Sequence, residues 1–134
     1  MIMKSLGKHR EFGLLALRLG IGGMFLLHGW PKLIGGPERW EKLGMAMQYA
    51  GVSVTPTLWG LAAALSEFGG GLCLILGLFF RPACLMLAIT MGVAANMHLG
   101  KGEGLMAASH AIELGILFFC LLFIGPGRYS VDRG

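Results

Sequence analysis

Charge is what this sequence has least of. Asp, Glu, Lys and Arg account for 13% of its 134 residues, against about 25% in a typical soluble domain. With 55% hydrophobic residues beside it, that shortage excludes an ordinary water-soluble fold and points to a single-domain membrane protein. Four spans of about 20 residues each would use up the length, so a separate soluble catalytic domain has no room. Any activity then sits within the membrane, at its surface or on a partner. The net charge of +4 comes from a few Lys and Arg at the ends of apolar runs, where such residues face anionic lipid and set topology. No basic stripe with interleaved aromatics is present, which argues against nucleic acid as a partner. Cysteine is also sparse. Cys73, Cys84 and Cys120 lie in three different runs, nearer one membrane surface, with no C-x-x-C pair; they read as small buried hydrophobes rather than as a thiol–disulfide centre.

What is present is an all-α pattern: an integral membrane four-helix bundle with a short interfacial helix between the first and second spans. The spans read as residues 12–33, 56–80, 82–99 and 105–124, and the whole chain, 1–134, reads as one membrane domain. The basic segment before Phe12 resembles the start of a signal peptide. The run after it contains Arg18 and lacks a clear A-x-A site, so it reads as a retained first span. From Pro37 to Ala50, Trp40, Leu43 and Met47 share one face, while Glu38, Glu41, Lys42 and Gln48 lie elsewhere. This is an amphipathic interfacial helix, with a lid over the bundle mouth as the alternative. Arg81-Pro82 marks the tight break between spans two and three. Lys4, Lys8, Arg10, Arg81, Arg128 and Arg133 on one side outnumber Lys32, Arg39, Lys42 and Lys101 on the other, which places both termini in the cytoplasm of a bacterial plasma membrane.

Each span carries an ionisable residue, and such residues are rarely held in a membrane without a partner or a task. On the first, Arg18, Gly22, Phe25, Gly29 and Lys32 share a face, with His28 at its margin. On the second, Gly60, Ala63, Glu67, Gly71 and Leu74 do so, and on the fourth, Met106, His110, Glu113, Leu117 and Cys120. Small residues on a face allow close helix approach. Depths counted at about 1.5 Å per residue would let Arg18 meet Glu67 and Glu113 near mid-membrane, with His28, His110 and Lys32 above them. The structural alternative is that Arg18 neutralises the two carboxylates and pins the packing. One cation against two carboxylates leaves a negative excess, and a carboxyl beside a histidine suits proton movement. Asn96 and His98 face opposite sides of the third span, and His98 reads as interfacial. No metal is expected, because a di-iron bundle needs E-x-x-H on two helices. A bis-histidine haem between His28 and His110 is geometrically conceivable. Gly20-Ile21-Gly22-Gly23 lies inside a span, not in a dinucleotide loop.

The motif Arg18-x-x-x-Gly22-x-x-Phe25-x-x-His28-Gly29-x-x-Lys32, with Glu67-x-x-Gly70-Gly71, Gly77, Glu113 and the ending Gly125-Pro126-Gly127-Arg128-Tyr129-Ser130-Val131-Asp132, resembles the DoxX family of small bacterial membrane proteins. The resemblance implies a four-helix fold and an association with quinone-linked oxidation, in some relatives of sulfur compounds and with a second subunit. On that basis the leading expectation is a membrane redox component with a quinone as its lipid-soluble cofactor or substrate. Glu67, His110 and Glu113 would be the catalytic proton donors, and Arg18, His28 and Lys32 would bind the head group and stabilise negative charge. A soluble or membrane redox partner would supply electrons, and a homo-oligomer is an open arrangement. The competing readings are a non-enzymatic membrane subunit or assembly factor, and a small transporter or proton pathway.

Overall fold

The computed structural model describes residues 2–132, and all regular structure within them is helical. A short α1 (Ile2–Ser5) and a 3-10 turn (Leu6–His9) lead into α2 (Arg10–Ile34). Next come α3 (Pro37–Gly44), a second 3-10 turn (Met45–Ala50), and then α4 (Pro56–Leu76), α5 (Phe80–Gly100) and α6 (Leu105–Ile124). Four helices are long and apolar enough to cross a membrane, those ending at Ile34, Leu76, Gly100 and Ile124. One end of the bundle carries the start of α2 and the segment after α6; the far end carries α3 and the turn between α5 and α6.

Packing follows the small-residue faces. A Cβ on Gly22 would stand 2.7 Å from the Gly71 carbonyl oxygen, and one on Gly29 would stand 2.6 Å from Phe68 N. Only glycine lets α2 and α4 approach this closely, and a close approach replaces lipid contacts with dense helix–helix dispersion. α4 packs on α5 and α5 on α6, but α2 and α6 do not come into backbone contact. Phe25 and Phe118 bridge that gap with ring centroids 5.3 Å apart, edge to face. Together with Leu74, Phe80, Leu87 and Leu121 they form the core.

The turn between α4 and α5 falls at residues 77–79, before the Arg81–Pro82 break that the sequence implies. Gly77 adopts φ +66, and Leu78 N donates to Cys73 O at 3.1 Å, ending α4 as glycine commonly does. Pro82 then sits in the first turn of α5, where its missing N–H costs nothing. The carboxylate of Asp132 accepts from Phe79 N at 2.9 Å and Phe80 N at 2.7 Å, satisfying amides that open that helix. The tail thus returns to the bundle as a cap.

Candidate functional site

Lys32 and Glu67 are joined inside the bundle. Lys32 Nζ lies 2.7 Å from Glu67 Oε2 and 3.0 Å from Oε1. The carboxylate is buried, while the lysine side chain is 26% exposed. Gly29 explains the contact: it seats α2 directly on the Glu67–Phe68 backbone, and Lys32, one turn farther along, reaches the carboxylate.

Two cavities meet at this pair. One, of about 340 Å³, lies between α2, α5 and α6; His28, Lys32, Glu67, His98 and His110 stand among apolar walls that include Met24, Phe25 and Met91. It occupies the side on which α2 and α6 stand apart, and His28 and His110 are both exposed at its rim. The other, of about 360 Å³, lies between α4 and α5, beneath Leu43, Ala46 and Met47. Lys32, Glu67, Ala94 and His98 line both. The segment from Pro37 to Ala50 therefore acts as a lid over the far end. Trp40 Nε1 donates to Lys32 O at 3.0 Å, and Gly60 lies so close under Trp40 O that any side chain there would collide with it. The segment's apolar edge covers the cavity while Glu38, Arg39, Glu41 and Lys42 stay exposed.

Two sequence expectations are corrected. Arg18 does not meet Glu67 or Glu113. Its buried guanidinium donates from Nε to Leu74 O at 2.9 Å, from Nη2 to Ile75 O at 3.0 Å, and from Nη1 to Pro126 O at 3.1 Å and Tyr129 O at 2.8 Å. Gly22 seats α2 on Gly71, Leu74 and Ile75 of α4, so Arg18, one turn before it, lies beside the end of α4 rather than beside Glu67. Glu67 is seven residues from Leu74, about 10.5 Å up the helix axis. The last carbonyls of α4, at the negative end of its dipole, are the nearer acceptors. Glu113 is the second correction. It projects from the exposed outer face of α6 and does not line either cavity. Ala108, Ala111 and Phe118 are the buried residues of that helix, so the face carrying Met106, Glu113 and Cys120 is turned outward.

His98 is the residue that sequence reasoning undervalued. Its Nδ1 lies 2.7 Å from Glu103 Oε1, and the ring lines both cavities while Asn96 is exposed. The available signal was its continuation of the stripe of Leu87, Met91 and Ala95, all buried. Among the described residues no group of three or more His, Cys, Asp or Glu is placed to hold a metal ion. A ligand with a polar head and an apolar body would instead find donors from Lys32, His28, His98 and His110 in a Met-rich pocket.

A family model described as DoxX matches residues 13–100. The chain is similar over 98% of its length to an uncharacterized protein of Haemophilus influenzae, with 33% identity and 96% of that protein covered. It is 30% identical to the inner membrane protein YqjF of Escherichia coli K12, with 94% of each covered. The inner membrane protein YphA of the same organism is 28% identical, with 95% of this chain and 93% of YphA covered. No solved structure matches the chain.

Proposed function

The chain belongs to the DoxX family of membrane proteins, and from that premise we propose that it is a quinone-linked redox component of the bacterial plasma membrane. The observation that carries this reading is the cavity beside the Lys32–Glu67 pair. Ligand pockets commonly span about 300–1,000 Å³ with apolar walls and a few polar groups, and this one has about 340 Å³, three imidazoles and an ion pair. The separation of α2 from α6 gives a lipid-dissolved molecule a lateral way in.

Reducing a quinone to a quinol takes two electrons and two protons. The electrons come from a redox partner, soluble or membrane-bound. This chain supplies the seat and the protons: His28 and His110 hydrogen-bond the carbonyl oxygens, and Lys32, held by Glu67, stabilises the developing negative charge. His98, paired with the exposed Glu103, links the cavity to the surface for proton resupply. Both termini lie in the cytoplasm, so the lid faces the opposite compartment. Glu67 and His110 keep the proton-handling roles that their residue types suit, whereas Arg18 works on helix ends and Glu113 outside the pocket. The alternative of a non-enzymatic membrane subunit draws its support from Arg18, whose four bonds serve packing alone.

Titration of the purified protein with short-chain ubiquinone and menaquinone analogues tests the reading. Saturable binding is expected, weakened at least fivefold in His110→Phe with no change in thermal stability. Absence of saturable binding to folded protein, for both analogues, overturns it.

A further inference from the structure

Glu113 stands about 12 Å from the start of α6, near the middle of a span of roughly 30 Å. It is exposed and, among the described residues, has no hydrogen-bond or ionic partner. Hydrocarbon offers it nothing, and a carboxylate facing lipid at that depth is costly. The same face shows a regular pattern. Met106, His110, Glu113, Leu117, Cys120 and Ile124 follow one another at alternating steps of four and three, which is the seam spacing of two helices in a left-handed pair. Leu117 is half-buried against the core, and among the described residues the other five are exposed.

We propose that this seam of α6 is the contact surface with a second copy of the chain, the two α6 helices running parallel about a two-fold axis along the membrane normal. A second copy is the occupant that the charges select. In a parallel two-fold pair, equal residues meet at equal depth, and His110 lies about 4.5 Å along the axis from Glu113. Each Glu113 carboxylate then finds the neighbouring copy's imidazole, and each imidazole finds a carboxylate, so the same pair forms twice by symmetry. Cys120, seven residues beyond Glu113, comes to the same axis. Because His110 also lines the cavity between α2 and α6, the dimer seam borders the mouth of that cavity. The pairing does not depend on which ligand the cavity takes.

The native cysteine supplies the test. Full-length protein in liposomes, oxidised mildly with copper phenanthroline, is expected to give a covalent dimer on a non-reducing gel. The dimer should survive Cys73→Ser and Cys84→Ser and vanish with Cys120→Ser. Phe119→Cys in the Cys120→Ser background is exposed but one helical step round, and it should cross-link poorly. Fluorescence energy transfer between labelled copies should show dimer dissociation rising at least fivefold in Glu113→Leu. The melting temperature of that variant in detergent should stay unchanged, because Glu113 bonds to nothing in its own chain. A monomer under oxidation, equal cross-linking from positions 119 and 120, or undiminished pairing in Glu113→Leu overturns the proposal.

Discussion

Replacing Arg18 by alanine removes a side chain that is 1% exposed and donates to four carbonyls. Two of those acceptors, Leu74 O and Pro126 O, are bonded in buried surroundings; the other two bonds are partly buried. Leaving a buried acceptor unsatisfied costs about 1–3 kcal/mol; Leu74 O keeps its bond from Gly77 N at 3.3 Å, so Pro126 O dominates and the loss is about 2 kcal/mol. The partly buried carbonyls recover water and add little. Arg18→Lys keeps the charge but replaces a planar fork with a single ammonium, and roughly half the loss should remain. Two readouts separate this network from a general weakening. Thermal unfolding in detergent should shift downward in the order wild type, Arg18→Lys, Arg18→Ala. Trypsin should cut after Arg128 faster in Arg18→Ala while sparing Arg10, because the tail carbonyls of Pro126 and Tyr129 lose their anchor. A melting temperature within 1 °C of wild type, by the order-of-magnitude conversion of about 2–4 °C per kcal/mol, together with unchanged cleavage after Arg128, would refute the assignment of Arg18 as the clasp between α4 and the tail.

The Lys32–Glu67 pair should behave as a coupled unit: Lys32→Met or Glu67→Gln alone strands the other group and costs about 3–5 kcal/mol, whereas Lys32→Met with Glu67→Leu recovers much of it. A double-mutant cycle on unfolding free energies checks this, and strict additivity would show that the pair contributes nothing. Orientation is read by labelling Ser5→Cys, in a background with Cys73, Cys84 and Cys120 replaced by serine, with a membrane-impermeant maleimide. Protection in intact cells and labelling after permeabilisation are expected; labelling of intact cells would invert the topology.

Much of the architecture follows from local chemistry. Four apolar runs of membrane-spanning length, broken near Gly35-Gly36-Pro37, Arg81-Pro82 and Gly100-Lys101-Gly102, force helices and fix their count, since a bilayer tolerates no unpaired backbone; the second break itself falls a few residues earlier, at Gly77. The placing of Trp40, Leu43 and Met47 on one face, with charged neighbours elsewhere, marks a short amphipathic helix after the first span. The glycine faces of α2 and α4 mark surfaces of close helix approach. What periodicity alone does not settle is which neighbour each face meets and how far each helix slides along its partner. Arg18 shares a line with Lys32, yet a shift of about two turns separates their targets: Lys32 takes the carboxylate of Glu67, and Arg18 takes the carbonyls at the end of α4. Glu113 shares a line with His110, but the rotation of α6 leaves it pointing outward, while His110 at the edge of that line still reaches the cavity. His98 enters the site only because Met91 and Ala95 pack inward below it. The tail shows the limit most plainly. The residues from Gly125 to Asp132 look like a polar end of chain, but they cap α5 through Asp132 and receive Arg18 through Pro126 and Tyr129. A helix period repeats every few residues and is written locally. Register, rotation and the partners of buried charges arise between elements more than 50 residues apart in the chain, as with Arg18 and Leu74, and only the packed bundle brings them together.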